Sequence, residues 1–248
     1  MHSTDFADKV VLVLGGSRGI GAAIVRRFAR QGASLFYTWN GAPEKAQALR
    51  EQLAQEGFHV TPIQADSANV DAIRAAVEVV SSTHGRVDIL VNNAGILLRN
   101  TVDKFPVEDF DRMLAVNVRA PFFAVQAAAN VMPRGGKIVI IGSIVADRAA
   151  FPGTSVYAMT KSAVAGMVRG LAVDLAAKEI TINTVQPGPI ETDMNPKDSP
   201  HRDAVLNMLP LGRMGKDDEV AGLVAYLAGE EASFITGSAM TIDGGYLA

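Results

Sequence analysis

The sequence predicts an α/β fold in which one parallel sheet is covered by helices on both faces. Short apolar runs alternate with helical patterns along all 248 residues, an order typical of doubly wound sheets. The first run, residues 10–14, is five apolar residues long, which suits a strand buried on both faces. Three glycines and a helical pattern follow it directly. We therefore expect one domain, residues 1–248, with no internal repeat.

Seven strands are predicted, each bounded by turn residues. They cover residues 10–14, 34–39, 58–65, 87–91, 137–142, 180–185 and 239–243. Pro62 places the third strand near a sheet edge, because proline cannot donate to a central ladder. Helices are expected after the glycine turn, over 43–57, from 66–67 to about 82, and over 106–132, 158–177 and 217–228. The sheet should therefore be parallel, with helical crossovers.

Composition excludes several classes of function. The chain has 23 basic and 26 acidic residues, a formal net charge of -3 and no block of like charge, so neither nucleic acid nor an anionic membrane is a predicted partner. It has no cysteine, and its four histidines lack metal-ligand spacing, so no metal is predicted. The first residues lack the apolar core of a signal peptide, and no apolar run reaches about 18 residues. A cytoplasmic protein acting on a small molecule is expected.

The glycine turn is a candidate phosphate site. Gly15, Gly19 and Gly21 form G-x3-G-x-G at the point where a strand ends and a helix begins. The first turn of a helix has unpaired N–H groups and the positive end of the dipole, and glycine lets a pyrophosphate approach closely. The alternative is that these glycines only make a tight turn.

This pattern, with NNAG at residues 92–95 and the catalytic spacing below, resembles the short-chain dehydrogenase/reductase family from about residue 8 to 246. The resemblance implies a Rossmann-type domain that binds a nicotinamide dinucleotide. The family usually has threonine where this chain has Leu14, so a hydroxyl that braces the turn is missing. The implied cofactor contacts are Gly15, Ser17, Arg18, Gly19, Ile20, Gly21, Asn40, Asp66, Ser67, Asn93, Ala94, Gly95, Tyr157, Lys161, Pro187, Gly188, Ile190 and Thr192.

The residues after the second strand favour NADP(H). Family members that bind NADH often have an aspartate there for the ribose diol, whereas this chain has Trp39 and Asn40. The resemblance implies that Arg18 supplies a cation for a 2′-phosphate, as in family members that bind the phosphorylated cofactor; the alternative is that it is only a solvated turn residue. The resemblance also implies that Asp66 lies beside the adenine; the alternative is that Asp66 or Ser67 caps the next helix.

Four residues form the candidate catalytic group. Ser143 ends the fifth strand, Tyr157 follows fourteen residues later, and Lys161 lies one helical turn beyond it. A cation beside a phenol lowers the phenol's pKa, so Lys161 is expected to make Tyr157 a better acid. The resemblance implies that Tyr157 donates the proton, Ser143 orients the carbonyl and Lys161 bonds the ribose. A buried Asn117 either repairs a helix kink or holds a water, and the resemblance implies the water.

These residues predict an NADPH-dependent oxidoreductase that transfers a hydride between the nicotinamide and a carbonyl or alcohol substrate. A second interpretation is a nucleotide-binding regulator on the same scaffold. The segments LGGSRGIGAAIVRRF, QPGPIETDMNP and ASFITG resemble a family member associated with cyclic di-GMP and biofilm dispersal, which also has leucine in place of the threonine. A purely structural subunit is disfavoured because Ser143, Tyr157 and Lys161 are all present.

Two further expectations concern the surface. Residues 195–212 contain three prolines and lack a long periodic pattern, so we expect a mobile substrate lid. Its predicted apolar lining is Met194, Leu206, Met208 and Leu209. The apolar, alanine-rich helices over 106–132 and 158–177 predict a homotetramer.

Overall fold

The computed structural model describes residues 6–193, 195 and 202–248. Its seven strands are β1 Val10–Leu14, β2 Ser34–Trp39, β3 Val60–Gln64, β4 Ile89–Asn92, β5 Lys137–Ile141, β6 Thr181–Pro187 and β7 Ala239–Ile242. They form one parallel sheet in the order β3-β2-β1-β4-β5-β6-β7. The predicted fold class and strand number are confirmed, as is the edge position of the strand that contains Pro62.

Eight α-helices lie within the described residues, and six of them cover the two faces of this sheet. They are α1 Gly19–Arg30, α2 Pro43–Gln55, α3 Val70–His84, α4 Val107–Leu114, α5 Ala120–Ala129, α6 Ser155–Leu175, α7 Arg202–Leu206 and α8 Asp217–Ala228. Helices α1, α2 and α8 pack on one face, and α3, α5 and α6 pack on the other. Strand β1 contributes Val11 and Val13 to the first core and Leu12 and Leu14 to the second. Its unbroken apolar run follows from this two-sided burial.

The strand order creates a crevice at the carboxyl end of β1. The chain moves outward from β1 through β2 to β3, and then crosses back to place β4 on the other side of β1. Connections on the two sides of β1 therefore diverge, and ligands of doubly wound sheets bind at this switch point. The loops after β1 and β4, which begin at Gly15 and Asn93, lie on the two sides of the crevice.

Two expected helical features are wrong. The helix predicted over 106–132 is divided into α4 and α5 by a π-helical turn, Ala115–Arg119, and α5 ends at Ala129. The start of α3 is capped by neither Asp66 nor Ser67. The Asn69 side chain instead accepts from the N–H groups of Asp71 and Ala72, at 2.9 and 3.4 Å, because it is the residue that immediately precedes the helix.

Within the described residues, none of the helices is long and apolar enough to cross a membrane. A search of the same residues finds no group of three histidine, aspartate or glutamate side chains that could hold a metal ion.

Candidate active site

The first turns of α6 bring Tyr157 and Lys161 to one cavity. The two residues lie one turn apart, and the Lys161 Nζ is 5.6 Å from the centroid of the Tyr157 ring. The same Nζ donates to the main-chain oxygen of Ile141 at 2.9 Å. Since Ile141 ends β5, this bond fixes the helix against the strand that leads to Ser143.

Ser143 completes this group from the end of β5. Its Oγ accepts from the Val145 N–H at 3.2 Å and so caps a 3₁₀ turn, Ile144–Ala146. The same side chain acts on the Tyr157 phenol, whose pKa it lowers against the larger effect of burial. Ser143, Tyr157 and Lys161 therefore meet on the wall of one cavity of about 640 Å³, which is the convergence that the sequence predicts.

Burial controls the protonation of both titratable groups. It raises the pKa of Tyr157 to about 12, against smaller lowering effects of the Ser143 side chain and the Arg99 charge. It lowers the pKa of Lys161 from 10.5 to about 8. The expectation that Lys161 lowers the pKa of Tyr157 is therefore wrong for this structure, because desolvation of the phenolate dominates. Tyr157 holds its proton at neutral pH.

Asn117 lies within the π-helical turn and is 1% exposed. Its Oδ1 accepts from the Ile96 N–H, and its Nδ2 donates to the Ile96 carbonyl, both at 2.9 Å. Nδ2 also lies 3.1 Å from the Thr160 Oγ1, and that hydroxyl donates to the Tyr157 carbonyl at 2.8 Å. The Asn117 side chain therefore connects the loop after β4 to the part of α6 that carries the catalytic residues.

The glycine turn has the close packing that a phosphate cradle requires. A Cβ on Gly21 would lie 2.1 Å from the Gly15 carbonyl oxygen, and Gly15 itself has φ +74°. The Asn93 Nδ2 donates to that same oxygen at 2.7 Å. The side chain of Arg18, the residue before α1, makes no capping hydrogen bond, and the first turn has no acid. This uncapped helix start, approached by glycine, fits a dinucleotide pyrophosphate.

Thr38, which no sequence motif indicates, braces this turn. The Gly15 N–H donates to the Thr38 Oγ1, and the Gly16 N–H donates to the Thr38 carbonyl, both at 2.9 Å. Thr38 is 1% exposed and lies in β2. A hydroxyl therefore supports the turn from the neighbouring strand, although Leu14 supplies none. No local pattern in β2 distinguishes this threonine, because the bond joins two different strands.

A family model described as enoyl-(acyl carrier protein) reductase matches residues 15–247. The solved structure of a short-chain dehydrogenase/reductase from Serratia marcescens is 47% identical, with a TM-score of 0.96 over 98% of this chain and 100% of that one. This chain belongs to the short-chain dehydrogenase/reductase family.

Two further members of the family add detail. A structure from Burkholderia cenocepacia, solved in complex with NADP, is 45% identical and has a TM-score of 0.96 over 98% of this chain and 100% of that one. The cyclic-di-GMP-binding biofilm dispersal mediator protein of Escherichia coli is 47% identical over 241 residues, which cover 97% of this chain and 98% of that protein. The resemblance noted from the sequence is thus confirmed.

The short-chain dehydrogenase/reductase cleft consists of two adjoining cavities. The first contains the catalytic residues; the second, of about 630 Å³, lies beside the start of α1. Both are lined by Thr192 and Asn195, so they form one continuous cleft. Lys45 and Asp193 form an ion pair at the second cavity. The cleft is therefore long enough to offer separate places for the two ends of a dinucleotide.

Most of the predicted cofactor positions line this cleft. The first cavity is lined by Ile20, Asn93, Gly95, Tyr157, Lys161, Pro187, Gly188, Ile190 and Thr192, and the second by Ser17, Arg18, Gly19 and Thr192. The remaining positions line neither cavity: Gly15, Gly21, Ala94, Asn40, Asp66 and Ser67. Gly15, Gly21 and Ala94 pack within the turn. The other three follow β2 and β3 at the same edge of the sheet, and the Asp66 Oδ1 accepts from the Ala68 N–H.

The predicted lid is partly described. Met194 and residues 196–201 lie outside the described residues. From the rest, Arg202 and Val205 line the first cavity. Leu209 is buried, and Leu206 and Met208 pack with it in a small cluster that includes Ile144 and Tyr246. The described residues of the predicted apolar lining therefore anchor the segment and do not face the cavity.

Proposed function

We propose that this protein is a cytoplasmic, NADPH-dependent oxidoreductase that interconverts a carbonyl compound and an alcohol, with Tyr157 as general acid and base. One observation carries the proposal: Ser143, Tyr157 and Lys161 meet in a cavity that adjoins the uncapped start of α1. A hydride donor and a proton donor can thus act on one substrate.

The roles follow from the contacts of each side chain. Bound NADPH supplies a hydride to the carbonyl carbon. The Ser143 hydroxyl, held by Val145, donates a hydrogen bond to the carbonyl oxygen. Tyr157, whose pKa is about 12, is protonated at neutral pH and gives that oxygen its proton. A protonated Tyr157 is the form that the reduction step requires.

Lys161 and Asn117 support the proton donor. With a pKa of about 8, Lys161 is charged at neutral pH; one of its protons is held by the Ile141 carbonyl, and two are left for the Tyr157 hydroxyl and the cofactor ribose. Both the Oδ1 and the Nδ2 of Asn117 form hydrogen bonds with neighbouring residues. The second lone pair of its Oδ1 is the group left to hold the water that replaces the proton.

NADPH is preferred over NADH in this proposal. The second cavity is lined by Arg18, Arg26 and Lys45. The exposed Asn40 follows β2, at the position where family members that bind NADH often have an aspartate. Since Lys45 is paired with Asp193 and Arg26 donates to the Gln52 side chain, Arg18 is the cation assigned to the 2′-phosphate. The Burkholderia relative, solved with NADP, supports this preference.

The deciding experiment is Tyr157→Phe, assayed by NADPH oxidation across aliphatic, aromatic and cyclic ketones. We expect turnover to fall by at least about a hundredfold, because the ring still packs but the proton is absent. The affinity for NADPH should change little. Tyr226→Phe, an exposed tyrosine on α8, is the matched control. Retention of most activity by Tyr157→Phe would rule out this role.

A cyclic dinucleotide regulator is the second candidate, because the Escherichia coli relative is described as binding cyclic di-GMP. The uncapped start of α1 would be its main phosphate site, so it should compete with NADPH. We expect NADPH to bind at micromolar affinity or better, and the cyclic dinucleotide to bind more weakly. Titration calorimetry with each ligand, alone and with the other present, decides between them. Tight cyclic di-GMP binding that saturating NADPH does not weaken would favour the regulator.

We propose two surface properties as well. Large apolar residues are exposed on α4, α5 and α6: Val107, Phe122, Met159 and Val173. A homotetramer would bury such residues, and sedimentation equilibrium that finds only monomer would refute it. Residue 195 and residues 202–212, the described part of the predicted lid, are proposed to close the cavity over the substrate.

A further inference from the structure

The cavity that contains Tyr157 has a strongly one-sided charge. Arg99, Arg148 and Arg202 line it, in addition to Lys161. No aspartate or glutamate lines it within the described residues, although the whole chain carries more acidic than basic residues. The three arginines come from separate segments: the loop after β4, the loop after β5, and α7. Such an arrangement raises the local concentration of anions.

These arginines are not those expected to serve the cofactor phosphates. The uncapped start of α1 and Arg18 lie at the second cavity. Arg99, Arg148 and Arg202 line only the first cavity, where Ser143 and Tyr157 are placed to act on the substrate. The excess positive charge is therefore on the substrate side of the cleft.

The three arginines differ in their availability. Arg148 donates to the Tyr246 carbonyl at 3.2 Å and lies over the Tyr246 ring, 5.4 Å from its centroid. Arg202 pairs with the Glu191 carboxylate at 2.7 Å. Arg99 forms no hydrogen bond or ion pair with the part of the chain that is described, and its charge reaches the Tyr157 phenol. An anion can bind Arg99 without breaking an existing contact.

Apolar side chains form much of the rest of the cavity wall. Its large side chains include Leu97, Val145, Phe151 and Val205. A ligand that fits both features has an apolar body and one anionic group near its reacting carbonyl. A guanidinium binds a carboxylate through two parallel hydrogen bonds, which fixes the orientation of the substrate as well as its affinity.

We propose that the substrate is an oxo acid, a carbonyl compound with a carboxylate that pairs with Arg99; this inference rests on the proposed reductase function. In the step, a hydride from NADPH forms the new C–H bond and the C=O π electrons move to oxygen. That oxygen takes the Tyr157 proton, which solvent then replaces. The products are a hydroxy acid and NADP+, so one proton and one hydride are consumed for each carbonyl reduced.

The test compares oxo acids with their own methyl esters, which keep the carbonyl and the body but lose the charge. Pairs of 2-oxo and 3-oxo acids with aliphatic or aromatic bodies are assayed by NADPH oxidation with the native protein. We expect kcat/KM to favour the acid at least tenfold in one or more pairs. Because surface electrostatics are screened by salt, this ratio should fall as ionic strength rises.

Arg99→Gln then identifies the residue responsible. The acid-to-ester ratio of kcat/KM should fall at least tenfold in this variant, and a ratio cancels any effect on the chemistry common to both substrates. Arg50→Gln, which makes the same change at an exposed position on α2 outside both cavities, is the control and should keep the native ratio.

The outcomes separate this inference from the function on which it rests. Esters that are reduced as well as or better than their acids in every pair would overturn the inference and leave the reductase intact. An acid preference that survives Arg99→Gln would also overturn it. Turnover of neither acids nor esters, nor of neutral ketones, would overturn the proposed function itself.

Discussion

Leu14 at the end of β1 lies beside Asn92 at the end of β4, and the two residues are register partners. Asn92 is 1% exposed, and neither its Oδ1 nor its Nδ2 has a hydrogen-bond partner among the described residues. A buried, unpaired polar group costs about 1 to 3 kcal/mol. The leucine at the position where the family usually has threonine is thus associated with an unpaired amide.

Leu14→Thr should therefore stabilise the protein relative to Leu14→Val. Threonine and valine have the same shape, and burial of a hydroxyl normally makes the threonine variant the less stable one. Here the hydroxyl can form a hydrogen bond with Asn92. We therefore expect the free energy of unfolding of Leu14→Thr to be about 1 kcal/mol higher than that of Leu14→Val. Urea denaturation measures the difference. A Leu14→Val protein of equal or greater stability would contradict this explanation.

Thr38→Val should weaken cofactor binding. The substitution keeps the shape of the side chain but leaves the Gly15 N–H without its acceptor, at a cost of about 1 to 3 kcal/mol. We expect a lower melting temperature and an NADPH dissociation constant raised at least fivefold, measured by calorimetry. Thr83→Val, which alters an exposed threonine on α3, controls for the change in composition. An unchanged affinity would mean that the glycine turn holds its shape without this hydroxyl.

Arg18→Gln should weaken NADPH far more than NADH. Only NADPH has a 2′-phosphate for the guanidinium, and a charge-assisted contact contributes roughly 1.5 to 3 kcal/mol, or at least about a tenfold change in affinity. Binding of both cofactors is measured in parallel, with Arg50→Gln as the control. Equal losses of affinity for NADPH and NADH would mean that Arg18 only shapes the turn. Native preference for NADH would refute the interpretation of Trp39 and Asn40.

Lys161→Met should stabilise the protein at pH 7 and lose this advantage at high pH. Burial lowers the pKa of Lys161 from 10.5 to about 8, so between these values the unfolded chain binds a proton that the folded chain does not. The native free energy of unfolding therefore rises with pH in this window. The penalty that Met removes below pH 8 is on the order of 3 kcal/mol. Denaturation of the native protein and of Lys161→Met at pH 7 and pH 10 measures the difference in their free energies of unfolding. Lys104→Met, which changes an exposed lysine, is the control. A difference between Lys161→Met and the native protein that does not change with pH would contradict this prediction.

The elements that the sequence predicts well are those whose burial is two-sided and regular. Strand β1 needs apolar residues at every position because both of its faces are covered, and α8 was predicted at its observed bounds. The convergence of Ser143, Tyr157 and Lys161 was also predictable, because the end of one strand and one face of one helix define it.

Contacts between segments that are distant in the sequence do not produce a local sequence pattern that predicts them. Thr38 supports Gly15 across two strands, and no local pattern distinguishes it from an ordinary strand threonine. Arg99, Arg148 and Arg202 occur singly in three loops or helices, so their shared cavity depends on the folded chain. The raised pKa of Tyr157 could not be predicted for the same reason: a helical spacing indicates the neighbouring lysine but not the burial of the phenol, which sets the direction of the shift.

The π-helical turn at Ala115–Arg119 also limits how this enzyme can be shortened. A π turn holds about one residue more than an α turn, so deletion of Val118 would convert the segment to continuous α-helix. The five residues of the π segment rotate the chain about as far as four α-helical residues, each of which contributes about 100°, so α4 and α5 would keep their relative phase. The deletion would instead remove the widened turn from which Asn117 pairs with Ile96. Continuity of the helix is therefore a poor guide to which residues here are dispensable.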